Sequence, residues 1–207
     1  VKSHPLKSDL MEIIDMAKDL LKAPDKYQSN VYELESRGDS IKESQKRKVW
    51  NFQDWQPTGV AVKSGEKINV YVDAQPGTPL PKLVFKQMDS QHNGQVVINL
   101  VRGKNEVTIP EVNSNELRPG TAKAGVLYTS NPYTAEQQIR NPKIRIDGGV
   151  SYPHFIKGVD NDEQVMDELR EYNAKLEADP KLPDVFEVFS DKTLVNVKAT
   201  YALDWYT

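Results

Sequence analysis

Gln56-Pro-Thr-Gly-Val-Ala-Val-Lys-Ser-Gly-Glu-Lys-Ile-Asn-Val70 reads as an apolar run, a two-residue turn and a second run in which apolar and polar residues alternate. Ile68, Val70 and Val72 oppose Lys67, Asn69 and Tyr71, the period-2 signature of a strand with one buried face. Ser64-Gly65 supplies the turn, because glycine reaches backbone angles that other residues avoid. Further along, Leu83–Gln87, Gln95–Val101, Glu106–Ile109, Val126–Ser130 and Lys143–Ile146 repeat this grammar, each bounded by Gly, Pro or Asn. Short strands between such turns predict a β-sandwich-like layer in place of alternating strand–helix units.

Upstream of that layer the pattern is helical. Leu6, Leu10, Ile13, Ile14, Ala17, Leu20 and Leu21 recur every three or four residues, with Ser3 or His4 as cap and Ala23-Pro24 as stop. Tyr27, Val31, Leu34 and Ile41 suggest the inner face of one or two further helices between Asp25 and Lys48. Downstream, Val165, Leu169, Tyr172 and Leu176 line one face of a helix opened by an Asp160/Glu163 capping arrangement. Asp179-Pro180 ends it, and Val185–Phe189 and Thr193–Ala199 read as two last strands. The expected class is α+β: a helical N-terminal segment (1–49) packed on a β-sandwich-like domain (50–159). A helix with terminal strands (160–207) follows and leads toward a missing catalytic part.

Composition narrows the function. With 207 residues, 38% hydrophobic and 28% charged, the chain reads as globular with a large polar surface. A net charge of −3 gives no electrostatic case for nucleic acid, and Lys46-Arg47-Lys48 reads as a solvated face. There is no cysteine, which removes disulfides, thiolate metal sites and thiol nucleophiles. No apolar run approaches the ~20 residues that cross a bilayer as a helix, so membrane insertion is not expected.

The chemistry-bearing residues are sparse. A helical zinc site needs two imidazoles at i and i+4, and His4, His92 and His154 share no helix turn. His154 reads as a polar loop residue and His92 as a hairpin tip. No Gly-x-Ser-x-Gly elbow is present, and Gly148-Gly149 reads as a tight turn in place of a phosphate cradle. The remaining candidates are aromatic. Trp50, Phe52 and Trp55 precede the first strand, where buried rings would staple helix to sheet and exposed rings would stack on sugars. Packing is the favoured reading. Trp50, Trp55, Tyr133 and Tyr152 are the candidate glycan contacts, with Tyr133 and Tyr152 expected to be the more exposed tyrosines.

Several segments, in order, carry a resemblance. They are Gln56-Pro-Thr-Gly-Val with Gly65-Glu-Lys-Ile-Asn-Val, Leu100-Val-Arg-Gly-Lys-Asn-Glu-Val-Thr and Ala124-Gly-Val-Leu-Tyr-Thr-Ser-Asn-Pro132. Ile144-Arg-Ile-Asp-Gly-Gly149 and Pro153-His-Phe-Ile-Lys-Gly158 follow. From about Trp50 onward the chain resembles the N-terminal part of the enhancin-like zinc metallopeptidases, family 60 of the metallopeptidases. The resemblance implies a secreted or surface parent protein that cleaves O-glycosylated proteins such as mucins. Its implied partners are host glycoproteins or mucin-type glycans, and its implied cofactor is zinc. The family holds zinc with the two His of HExxH and a downstream Glu, the Glu of HExxH serving as base, and no position here matches that motif. No catalytic or metal residue is therefore assigned, and no cofactor is expected in this chain. The chain alone is expected to be inactive. The alternative is a glycan-binding or adhesion β-sandwich module without protease activity.

Overall fold

The computed structural model describes residues 6–22, 31–34, 55–88, 94–111, 122–190 and 193–206. Among them the fold is α+β: three sheets and three helices. A four-stranded sheet has the order β1 (Val31–Glu33), β8 (Lys143–Asp147), β3 (Lys67–Asp73), β6 (Gly103–Thr108). A five-stranded sheet has the order β5 (Gln95–Asn99), β4 (Lys82–Gln87), β7 (Ala124–Ser130), β2 (Gln56–Lys63), β9 (Val150–Ser151). All pairs in these two sheets are antiparallel. The third sheet is β10 (His154–Ile156), β11 (Phe186–Phe189), β12 (Leu194–Val197), with β10 and β11 parallel.

Period-2 patterning fixes which faces meet. Ile68, Val70 and Val72 of β3, with Ile144 and Ile146 of β8, point into one apolar cluster. Val60 and Val62 of β2, Leu83 and Phe85 of β4, and Leu127 of β7 enter the same cluster from the five-stranded sheet. Outward on the first sheet, the Arg145 guanidinium stacks 4.1 Å from the Tyr71 ring centre. Strands β2, β4 and β7 of the five-stranded sheet are buried on both faces, because Ala61, Val84, Val126 and Tyr128 feed a second cluster. That second cluster is closed by α2 (Asp162–Ala178) through Val165, Leu169 and Tyr172, and by α3 (Ala199–Tyr206) through Ala199 and Ala202. Strands β4 and β7 approach so closely that a Cβ on Gly125 would lie 2.1 Å from the Lys86 carbonyl oxygen.

Several expectations need correction. The segment 25–48, expected to be helical, contains β1, whose three residues pair with β8 and leave Leu34 buried in the first cluster. Helix α1 (Lys7–Lys22) forms, yet Leu6, Leu10, Met11, Ile13 and Ile14 are exposed in place of packing on the sheet. The reason lies opposite: α1 meets β6 through Lys104 and Glu12 at 3.7 Å, on a strand face made polar by Lys104 and Glu106. The cap of α2 is Asn161, whose side chain accepts from the Glu163 amide, while Asp160 accepts from the Ile156 amide at 2.6 Å. The expected last strand ends at Val197, and α3 starts two residues later. Strand pairing joins segments far apart in the chain, β1 to β8 and β10 to β11. The expected α1 cap, His92, Trp50, Phe52 and Lys46–Lys48 lie outside the described residues.

Candidate functional site

The opening of β2 forms one wall of a cleft. Between Pro57 and Ala61 the pairing of β2 with β7 slips register, and Gly59 takes a positive φ of 68°. Thr58 holds the bulge by donating its hydroxyl to the Leu127 carbonyl at 2.7 Å and accepting from the Val60 amide at 3.2 Å. Gly59 leaves room for the His154 imidazole, whose Cε1 would lie 3.3 Å from a Cβ at that position. The facing wall is the Gly148-Gly149 turn between β8 and β9. There a Cβ on Gly149 would fall 2.6 Å from Val60 Cγ1. Glu66 binds this turn to the Ser64-Gly65 turn, accepting from the Gly149 amide at 3.2 Å and from the Lys63 amide at 2.9 Å. These walls enclose a cleft of about 410 Å³. Thr58, Ser151 and His154 are its polar side chains, and His154 is the titratable one.

Behind the cleft is a buried polar brace that sequence reasoning missed. His154 and Glu187 are partners in the β10–β11 ladder and share a face of the third sheet. Glu187 is 0% exposed, and its two carboxylate oxygens accept the hydroxyls of Tyr128 and Tyr152. Tyr128 also accepts from Asn196 at 3.5 Å. Burial pushes the Glu187 carboxyl above its ordinary range; the two tyrosine hydrogen bonds and the nearby His154 and Lys86 pull the other way. The Tyr128 hydroxyl is pushed far above its ordinary value by burial and then by the Glu187 charge, which keeps it a donor. The sequence signal was available: a lone carboxylate between Phe186 and Val188 in an otherwise apolar strand.

The described residues include three of the four candidate glycan contacts, Trp55, Tyr133 and Tyr152. Tyr133 and Tyr152 are 2% and 1% exposed, so their expected exposure is corrected. Each ring is drawn inside because its hydroxyl finds a buried acceptor, the Pro79 carbonyl for Tyr133 and Glu187 for Tyr152. Trp55 is half-buried, 5.5 Å from the Tyr128 ring, with the Lys86 ammonium 5.8 Å from its own ring centre. His154 is a strand residue, not a loop residue. Its Nδ1 is buried without a hydrogen-bond partner among the described residues.

The zinc implied by the resemblance does not fit the residues described. The cleft offers one imidazole and no carboxylate, and the buried Glu187 carboxylate behind it is engaged by two tyrosine hydroxyls. Among the described residues no three His, Asp or Glu side chains group as metal ligands. The cleft can exchange hydrogen bonds with a polar ligand; it cannot hold a hydrolytic metal.

No family model and no curated protein matches the chain. Solved structures do. The catalytic module of the metalloprotease ZmpA from Clostridium perfringens is 73% identical, with a TM-score of 0.80 over 86% of this chain and 36% of that one. The structure of the CBM32-1, CBM32-2 and M60 catalytic domains of ZmpB from the same organism is 48% identical. It covers all of this chain and 22% of its own length, with a TM-score of 0.86. The M60 catalytic domain of Clostridium perfringens ZmpC, in complex with the sialyl T antigen, is 46% identical. Its TM-score is 0.78 over 85% of this chain and 35% of that one. The chain thus spans about a third of the length of the catalytic modules that it matches.

Proposed function

We propose that this chain, which belongs to the enhancin-like M60 family of metallopeptidases, forms the noncatalytic front portion of a secreted or surface zinc metallopeptidase. Its parent cleaves O-glycosylated proteins such as mucins. The two sheets that share the first apolar cluster form a β-sandwich whose role is to support the catalytic part, and the His154 cleft supplies one wall beside the substrate. The zinc ligands belong to segments outside this sequence. The single supporting observation is 73% identity to a metalloprotease catalytic module of which the chain covers 36%, in a sequence that contains no HExxH.

Two measurements test this reading. The coding sequence beyond Thr207 is expected to carry HExxH. Incubated with mucin and zinc, the 207-residue chain should leave the substrate intact; robust cleavage abolished by a chelator would overturn the proposal. A second reading draws on the sugar antigen bound by ZmpC and on the half-exposed Trp55: glycan contact through Trp50 and Trp55. Binding on a glycan array that is lost in a folded Trp55→Ala variant supports it, and no binding removes it.

A further inference from the structure

The third sheet carries an apolar face that is only partly covered. Ladder partners fall on one side of a sheet, so Phe155, Val188 and Val195 form one row and Phe186 and Val197 the next. Phe186 is buried, and Phe155 and Val188 are half-buried against the cluster that α2 closes. The cover stops at β12: Val195 and Val197 are 45% and 41% exposed. Tyr201 of α3, just beyond, is exposed with the Lys198 ammonium 5.4 Å from its ring centre. Among the described residues no strand pairs with the outer edge of β12. An apolar edge strand left open in this way is an aggregation hazard unless something covers it.

We infer that the Val195/Val197 face and the open edge of β12 are the docking surface for the remainder of the M60 catalytic module. This rests on the reading above. The occupant follows from length: the ZmpA module extends over nearly three times the portion that this chain matches, so most of that module is available to cover the face. Helix α1 and Val97 of β5 also expose apolar side chains, but on the reading above the module continues from α3, which directly follows β12, so its next segments start beside this face.

The test compares the 207-residue chain with a chimaeric ZmpA module in which this chain replaces the portion it matches. Hydrogen exchange of the Leu194–Val197 amides is expected to slow about 10-fold or more in the chimaera, with central strand β3 changing less than about 2-fold. Val195→Asp with Val197→Asp should lower the melting temperature of the chimaera by more than about 5 °C and that of the isolated chain by less than about 2 °C. Equal exchange in both proteins, equal melting shifts, or a dimer of the isolated chain that already protects β12 would overturn the inference. Mucin cleavage by the chimaera reports separately on the proposed function: cleavage with an unprotected β12 sinks only the interface, and protection without cleavage sinks only the enzymatic role. If the chimaera does not fold, exchange at the aligned strand of the ZmpA module itself decides the matter by the same criterion.

Discussion

Replacing Glu187 by Ala should be among the most damaging single changes in the chain. The carboxylate is fully buried and accepts from Tyr128 and Tyr152, so its removal strands two buried hydroxyls in an apolar cluster. Each unsatisfied buried donor costs about 1–3 kcal/mol, which puts Glu187→Ala at about 2–6 kcal/mol before any cavity is counted. Against a total stability of about 5–15 kcal/mol, that is a large fraction. Urea denaturation followed by circular dichroism measures it. The same reasoning makes a counterintuitive claim. Changing Tyr128 and Tyr152 to Phe together with Glu187→Leu removes donors and acceptor at once, and should cost less than Glu187→Ala alone. Were the triple variant equally or more destabilised, the brace would owe its effect to ring packing and not to hydrogen bonding. The pH profile gives a second readout. Because the folded state raises the carboxyl above its unfolded value, the group's contribution is fully present below the unfolded value, near 4.3. It is lost as pH rises through the raised folded value. Glu187→Gln, which keeps the shape, should abolish that loss.

Three further outcomes follow from local geometry. Gly65→Ala meets only the strain of a positive φ of 78°, about 1–2 kcal/mol, since nothing lies within 4 Å of the new Cβ. Gly149→Ala adds collisions with Val60 and the Ala61 carbonyl to similar strain, and should exceed it by about 1–3 kcal/mol in the same urea assay. Asp179 pairs with Lys63 at 2.9 Å, and that hydrogen bond chiefly holds its carboxyl below the ordinary range. Its contribution is present above the unfolded value and disappears as pH falls through the lowered one, so Asp179→Asn should flatten the acid limb of a thermal-melt series.

What the sequence disclosed depends on how local each signal was. Strand β3 was legible because Ile68, Val70 and Val72 alternate within seven residues, and Gly65 marks its turn with a positive φ. Helix α2 was legible for the same reason: Val165, Leu169 and Tyr172 recur at helical spacing and are buried. Strand β1 was not legible, because three residues make a strand only by pairing with β8 far along the chain. Helix α3 follows β12 after a single residue, too abruptly for either period to separate them. The tyrosines misled because a ring with a polar tip reads as exposed unless its partner is known. Those partners lie 54 residues from Tyr133 and 35 from Tyr152. The candidate cleft shows the same division. Its Gly148-Gly149 pair was recognised as a turn, while the meeting of Gly59, Gly149 and His154 exists only after the sheets have paired.

The pairing of Val31 with Arg145 also sets a timetable for the newborn polypeptide. A ribosome working at about 5–20 residues per second takes about 6–23 s to make the stretch between them. Through that interval β1 has no β8 to join, whereas β3 can already close on β6. Completion of the four-stranded sheet therefore waits for β8, and a nascent chain stalled before residue 143 must keep β1 unmatched.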